Sequence, residues 1–472
     1  MISQLITIVF VLVAGASFYR LSLGFTLAVA CRLLIPPIVR VNLIITELSL
    51  NSCLILLLLG LTILKIRAGK VAIPTWSDSR VFFKPFLVLL GILVVSCLFG
   101  SHGTLQYRLS SLLQFLYTEF LLCFVGWFIL SRYADIRDFI KIISMAAVIA
   151  ALYGTYCYIS SSNPYISLVN SIYQPVLDAL SFMEYERGGI VGRIQGTMTH
   201  PLIWGGSCMV LFVLFFSQGE YMNRYIRFAV LALLTINILF SGSRSALLSM
   251  MAALAVIFYV GNIEIKKTYL VYAVFGAVAL LVALYQVPPL AKYKDLFEST
   301  VFFWDEQQSE NIRGSSISMR LEQLEGAFDM IDDGNLVTGL GQGFIKYYST
   351  TLGVHPVLRG FESIVFMALV ESGILGLLAW GIFFVLLWKI LDKIDISKEA
   401  KEKFSFVGAK AFLLAYSVFV VSTGIQSTLY LFLVVYLVML KANILSKYNY
   451  VSNTSERERG YHTPLMRIKS YN

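Results

Sequence analysis

FAVLALLTINILFSGSRSALLSMMAALAVIFYV, residues 228–260, is the stretch on which the reading of the whole chain turns. Two apolar runs, Phe228 to Phe240 and Met250 to Val260, flank a short polar corner, SGSRSALLS at 241–249. An apolar segment of about 17–25 residues matches a bilayer hydrocarbon core of roughly 30 Å. The pattern predicts two membrane helices, 226–240 and 244–260, joined by a tight corner that puts Arg244 at the mouth of the second.

The same pattern recurs along the chain. The 472 residues are 58% hydrophobic and only 14% charged, more apolar than a soluble domain requires. Spans are expected at 2–17, 21–36, 48–64, 85–100, 111–131, 138–159, 201–217, 226–240, 244–260, 268–286, 364–391, 408–422 and 426–440. Only helices and closed barrels satisfy their backbone groups in lipid, and no strand-period alternation of the barrel kind is present. The expected fold class is therefore an all-α polytopic membrane protein with about 12–13 transmembrane helices. The first apolar run has no basic segment ahead of it and no small-residue cleavage site, so it reads as retained. The six cysteines lie in or beside apolar runs, which implies no disulfide framework. With four histidines and no cluster at metal-ligand spacing, neither metal nor cofactor is expected. A net charge of +9 would suit a nucleic acid, but in a membrane protein the distribution of charge matters more, and no nucleic-acid partner is expected.

That distribution is one-sided. Lys65, Arg67, Lys70, Arg80 and Lys84 share one connection, Arg132 and Arg137 another, and Arg224, Arg227, Lys266, Lys267 and Lys393 fall in later ones. Counting spans puts these on one side, expected to be cytoplasmic. The opposite side holds SHGTLQYR, a connection near 160–200, the SGS corner and a loop of about 75 residues, too long for a simple connector. The helix-like run SMRLEQLEGAFDMI makes that loop partly folded. The expected organisation is a first part of the helix bundle at 1–286, a large extracytoplasmic loop at 287–361, a second part at 362–441 and a disordered cytoplasmic tail at 442–472. Thirteen spans put the N-terminus outside. A broken hairpin at 1–36 would make twelve and put it inside.

Four segments on that opposite side could carry chemistry. At the bilayer centre an unpaired arginine costs at least about 2.5–3.5 kcal/mol; Arg244 avoids much of this at a helix end that Ser241 or Ser243 could cap. A cation at a helix N-terminus is disfavoured by the dipole, and a bound anion would reverse that. The plain alternative is an interfacial anchor reaching lipid headgroups. ERGGIVGRIQGTMTHP, 186–201, supplies Arg187, Arg193 and His200 just before a span, or is an ordinary glycine-rich loop. In 315–344, Ser316 or Ser318 can cap a short helix bearing Arg320, and GLGQG follows no strand and precedes no Walker lysine, so a tight turn is a better reading than a nucleotide loop. HPVLRGFESIVFMALVESG, 355–373, contains His355, Arg359, Glu362 and Glu371. Glu362 could simply help cap the helix. Glu371 lies about two turns inside a span, where an acid is expensive, so a role or a partner is expected, one of the outer arginines among the choices. Together these arginines beside a membrane suit a lipid-linked diphosphate. Tyr347, Tyr348 and Trp304 could stack on sugar rings or anchor the interface.

The ordered motifs G-R-x-x-G-T-x-x-x-P from Gly192, S-x-S-R-S-A-x-L from Ser241, R-x-x-x-x-x-x-A-x-x-M-I from Arg320, G-x-G-x-G-F from Gly339 and L-x-E-x-G-x-x-G-L from Leu369 resemble the O-antigen polymerase and O-antigen ligase superfamily. VRVNLIITEL, 39–48, looks like that family's third-span opening, so the resemblance extends from about 39 to 440. It implies a GT-C-like glycosyltransferase of the bacterial inner membrane, working on its outer face without a metal on undecaprenyl diphosphate-linked glycans, in lipopolysaccharide, capsule or exopolysaccharide synthesis. Its arginines would fall on Arg193, Arg244 and Arg320. Many members carry His-Asn nine residues before the glutamate of the last motif; here that place is Glu362-Ser363. The difference points to a polymerase joining lipid-linked repeat units, with Glu362 as base and His355 as its substitute, ahead of a ligase acting on lipid A core. A transporter of lipid-linked sugars should show inverted repeats or midplane polar groups, and neither is visible. A scaffold would leave the long loop unexplained. The expected associates are membrane lipids, a flippase and a chain-length regulator.

Overall fold

The computed structural model describes residues 2–42, 47–71, 74–173, 186–187, 191–260, 286, 317–331, 334–353, 355–358, 361–393, 400–424 and 428–455. The expected span at 268–286 as far as residue 285, the long loop at 287–316 with Trp304, and Arg359 lie outside them.

The chain is a bundle of helices, as the composition demands. Among the described residues six helices are long and apolar enough to cross a membrane, and five shorter apolar helices accompany them. α1 (Ile2–Tyr19) and α2 (Leu21–Leu34) fold back on each other at Arg20. Arg20 is held at that corner by Asp135 and Asp138, each at 2.7 Å, and Lys65 donates to the carbonyls of Ser17 and Phe18. The corner thus sits at the end of the bundle where the basic connections gather. A short hairpin, β1 (Arg40–Asn42) with β2 (Glu47–Ser49), leads into α3 (Leu50–Arg67), whose first turn is capped by Ser49.

Two spans begin earlier than hydropathy alone indicates. α4 runs Trp76–Phe99, capped by Thr75, and passes through Pro85 without ending there. The span expected at 111–131 begins at Leu105. It consists of α5 (Leu105–Phe115), a widened π-helical turn (Leu116–Phe120) and α6 (Leu121–Ile129). Polar residues such as Arg108 hide these extensions from hydropathy, since their partners are made in three dimensions. α7 (Tyr133–Ser160) is followed by α8 (Pro164–Tyr173) and a second small hairpin, β3 (Glu186–Arg187) with β4 (Val191–Gly192).

α9 (Pro201–Ser217), α10 (Arg224–Phe240) and α11 (Arg244–Val260) pack in turn, α9 and α11 also against α15 (Ala400–Thr423). α12 (Ile317–Asp329) and α13 (Phe344–Thr351) are the described helices of the long loop and lie on α14 (Ile364–Asp392). α12 covers the stretch that reads as helical in the sequence. α16 (Leu429–Ser455) ends the described chain. The boundary at 441 between bundle and disordered tail is therefore too early: Lys441 is buried, its ammonium 3.9 Å from the centre of the Trp127 ring, and the helix continues past it. A cation–π contact lets a helix carry a lysine where hydropathy predicts its end. The centre is aromatic, with Tyr416 stacked on Phe432 and Phe82 on Trp127. Without a hydrophobic drive between helices in lipid, such close packing holds the bundle together.

Candidate functional site

At the end of the bundle opposite the basic connections, α9, α11 and α14 begin and α10 and α15 finish. The corner between α10 and α11 organises this end. Gly242 has φ +60, the left-handed conformation that lets the chain turn in so few residues. The N–H of Ala246 donates to Ser243 Oγ at 3.4 Å, so Ser243 caps α11. Arg193 lies over the corner: its Nε donates to the Ser241 carbonyl at 2.9 Å, and a β-carbon at Gly242 would stand 3.1 Å from that nitrogen. Arg244 opens α11. Its Nε and Nη1 are buried and find no acceptor among the described residues.

Arg320 reaches the same end from α12. It donates to the carbonyl of Ser422 at 2.9 Å, to that of Glu362 at 3.0 Å, and to Gln323. Thr423, the neighbour of Ser422, donates to Ser245, the neighbour of Arg244. The corner, the end of α15 and the loop helix are thereby tied together, and the three arginines anticipated from separate segments share one end of the fold. The Glu362 carboxylate stands 3.9 Å from Arg320 Nη2 and is 40% exposed. Burial lowers the pKa of Arg320 and Glu362 raises it; from so high an ordinary value the guanidinium stays charged.

The histidines have other work. His200 Nδ1 accepts the N–H of Leu202 at 3.1 Å, capping α9 ahead of Pro201. Burial, and then Arg193, push its pKa down to about 3, so the ring is neutral at pH 7. His355 Nδ1 accepts the N–H groups of Val357 and Leu358, and burial lowers its pKa as well. With Nδ1 an acceptor, the neutral ring carries its proton on Nε2 and has no lone pair left for a substrate proton. His355 packs beside Tyr348 and Phe361 and fastens a turn. Arg187 falls in β3, with its side chain outside what is described.

Among the described residues Glu371 meets no arginine. Its carboxylate accepts the N–H groups of Gly343 and Ile345 and the amide of Gln342. It thus caps the start of α13, supplying the anion that a helix N-terminus favours. α14 is broken here, with Gly373 at φ +63. The groups freed by the break are taken up by the glycine-rich segment: Leu340 N–H donates to Val370 O, Gly341 N–H to Glu371 O, Ile374 N–H to Leu336 O and Leu375 N–H to Val337 O. A β-carbon at Gly339 would overlap Ser372 N, and one at Gly373 would overlap Val337 O. GLGQG is a tight glycine turn, with Gly339, Gly341 and Gly343 all at positive φ, whose backbone fills the break in α14. Irregular backbone is tolerated at membrane depth only when paired like this.

One cluster is invisible in the sequence. Arg32 of α2 lies 3.4 Å from the centre of the Tyr430 ring and 3.5 Å from Glu119 in the π-helical turn, and donates to the Thr118 carbonyl at 2.6 Å. These residues are far apart in the chain and sit inside apolar runs, so neither spacing nor charge pattern pairs them. Among the described residues no three His, Cys, Asp or Glu side chains gather as a metal would require.

Residues 229–381 match the family described as O-antigen ligase. The matched segment contains Arg244, Arg320, Glu362 and Glu371, while Arg193 and Arg32 lie before it. The match supports the O-antigen polymerase and ligase superfamily, and polymerase or ligase activity in general, for this multi-pass membrane protein. Comparison with curated proteins finds no match.

Proposed function

We propose that the chain is a membrane glycosyltransferase that polymerises lipid-linked saccharide repeat units on the outer face of the bacterial inner membrane. The observation that carries the reading is the convergence of Arg193, Arg244 and Arg320 on one end of the bundle, with buried Arg244 donors that have no acceptor among the described residues. Buried donors left unmade cost about 1–3 kcal/mol each. A diphosphate head at the membrane interface supplies acceptors, and guanidinium groups bind it with charge-assisted pairs.

In this mechanism Arg244 and Arg320 hold the diphosphate of the donor, undecaprenyl diphosphate carrying the growing glycan, and Arg193 orients it. The acceptor hydroxyl, at the non-reducing end of another lipid-linked unit, attacks the anomeric carbon. The bond from that carbon to the diphosphate oxygen breaks, and configuration inverts. The arginines stabilise the charge that grows on the leaving diphosphate, usually the largest catalytic contribution. Glu362 takes the acceptor proton; its 40% exposure leaves it open to substrate while Arg320 orients it. The place taken by Glu362-Ser363 favours polymerase, whereas the description of the matching family, O-antigen ligase, favours ligation, for which lipid A core would be the acceptor. A flippase and a chain-length regulator would work beside it.

A deletion strain complemented with wild type or with Arg244→Ala tests this by its glycan gel. Single repeat units with no ladder identify a polymerase. Long polymer retained on undecaprenyl diphosphate identifies a ligase. A ladder unchanged by Arg244→Ala would overturn the arginine site.

A further inference from the structure

Beside the arginine cluster lies a cavity of about 650 Å³, inside the range of roughly 300–1,000 Å³ in which small-molecule sites fall. Its mouth is between α5 and α13, where Gln114, Lys346, Ser349 and Thr350 are exposed. Arg32, Glu119 and Tyr430 line its depth, and Ile203, Ile364 and Met367 supply apolar wall.

The charges in this cavity decide what it can hold. Arg32 is met by Glu119, the Thr118 carbonyl and the Tyr430 ring. Glu119 also accepts the N–H of Tyr430 at 2.9 Å. Glu371 is taken by the glycine-rich segment, and Lys346 donates to Gln114. Two cations face two carboxylates, each already engaged, so a diphosphate entering here would meet as much repulsion as attraction. A sugar hydroxyl both donates and accepts, as do the amides of Gln114 and Gln342 and the hydroxyls of Ser349 and Thr350. Such groups in a partly apolar chamber suit uncharged, polyhydroxylated rings.

Two further features support occupation. The π-helical turn at Leu116–Phe120 is what brings the Thr118 carbonyl and Glu119 to Arg32, and such turns recur at functional sites because they sacrifice regular helix bonding. The cavity also adjoins the arginines. A β-carbon at Gly424 would stand 3.4 Å from Met367 Sδ and 3.4 Å from Ser363 N, so Gly424 lies beside the cavity wall and beside the neighbour of Glu362, and it follows the Thr423 bonded to Ser245. The first turn of α14 is the partition between a cationic site and a neutral one.

We propose that this cavity is the saccharide subsite: it takes uncharged sugar rings of the glycan while the diphosphate stays with Arg193, Arg244 and Arg320. This rests on the glycan-transfer reading above.

The test uses the full chain in nanodiscs carrying Thr350→Cys at the cavity mouth, with maleimide labelling rate as the readout and the unsubstituted chain as background. The probes are lipid-linked saccharide extracted from the deletion strain and bare undecaprenyl diphosphate. At roughly ten times its dissociation constant the saccharide lipid should slow labelling about tenfold, because few sites remain empty. Bare undecaprenyl diphosphate should leave the rate unchanged. No slowing by the saccharide lipid, or equal slowing by both, overturns the proposal. In cells, Ala368→Phe should fill the cavity from α14 and cut the ladder about 10²-fold, the usual consequence of misplacing a substrate by roughly 1 Å. A full ladder from Ala368→Phe also overturns it. Should Ala368→Phe fail to fold, the labelling experiment decides alone. The gel of Arg244→Ala separates the two readings: a wild-type ladder there removes the arginine site, while the labelling result still reports on the cavity.

Discussion

Arg244 and Glu371 are both charged, both near the start of an apolar helix and both close to a glycine with positive φ. Their surroundings differ. Every partner of Glu371 named above belongs to the chain, and the bonds run to Gln342, Gly343 and Ile345. Arg244 keeps buried donors with no acceptor among the described residues. A charge whose bonds are made internally holds the fold in shape. A charge whose bonds are left open at the mouth of a bundle is prepared for something that arrives. Charge and position in the chain do not separate these two cases; the hydrogen-bond inventory does.

Four substitutions break or sharpen that contrast. The largest effect is expected from Glu362→Gln, which keeps the neighbour of Arg320 but removes the base. Transfer should fall by about 10²–10⁴-fold with the protein still folded, as read from the glycan ladder and from protein recovered in detergent. Near-wild-type polymer would remove Glu362 from the mechanism. Arg244→Ala follows, with an expected loss of about 10²–10³-fold, the usual consequence of deleting one preorganised charge-stabilising donor. Its thermal stability should match or exceed wild type, because unsatisfied buried donors are removed. A marked drop in melting temperature would show that Arg244 is structural after all.

Glu371→Ala should reverse the pattern. It strands the N–H groups of Gly343 and Ile345 beneath the loop, at about 1–3 kcal/mol for each group left unsatisfied. Lower melting temperature and poor recovery of monodisperse protein are expected. A stable but inactive Glu371→Ala protein would instead move Glu371 into the reaction. The smallest effect concerns pH. His200 has its folded pKa pushed to about 3, below its unfolded value of about 6.5. The unfolded chain therefore binds the proton more readily, and the stability that the neutral ring contributes is present above pH about 6.5 and lost as pH falls toward about 3. His200→Asn retains a capping side chain and should flatten the fall in melting temperature across that window. An unchanged slope would assign the acid sensitivity elsewhere.

Much of the fold is legible in the residues because lipid imposes simple rules. Apolar runs, basic connections and serines before helices mark spans, one end of the bundle and caps, and Ser243 caps α11 as its position implies. The arginines are legible too, since a cation beside an apolar run stands out against its neighbours. Legibility fails wherever a polar group's partner is distant in the chain. The early start of α5, the pairing of Arg32 with Glu119 and the burial of Lys441 on Trp127 all depend on contacts between separate helices. Arg108, for example, hides in a span because its guanidinium meets the carbonyls of Cys97, His102 and Gly103.

The sequence by itself determined that this chain is an assembly of membrane helices with cationic groups and a glycine-rich segment on one side. Hydropathy and charge are sums over neighbouring residues, and neighbours are all a sequence displays. Only the tertiary structure decided that GLGQG is threaded into a broken α14, that His200 and His355 are occupied as caps, and that Arg244 retains open donors. Whether a polar group is spent or available depends on which backbone and side-chain atoms the packing brings within about 3 Å of it, and those atoms come from helices that the sequence lists far apart.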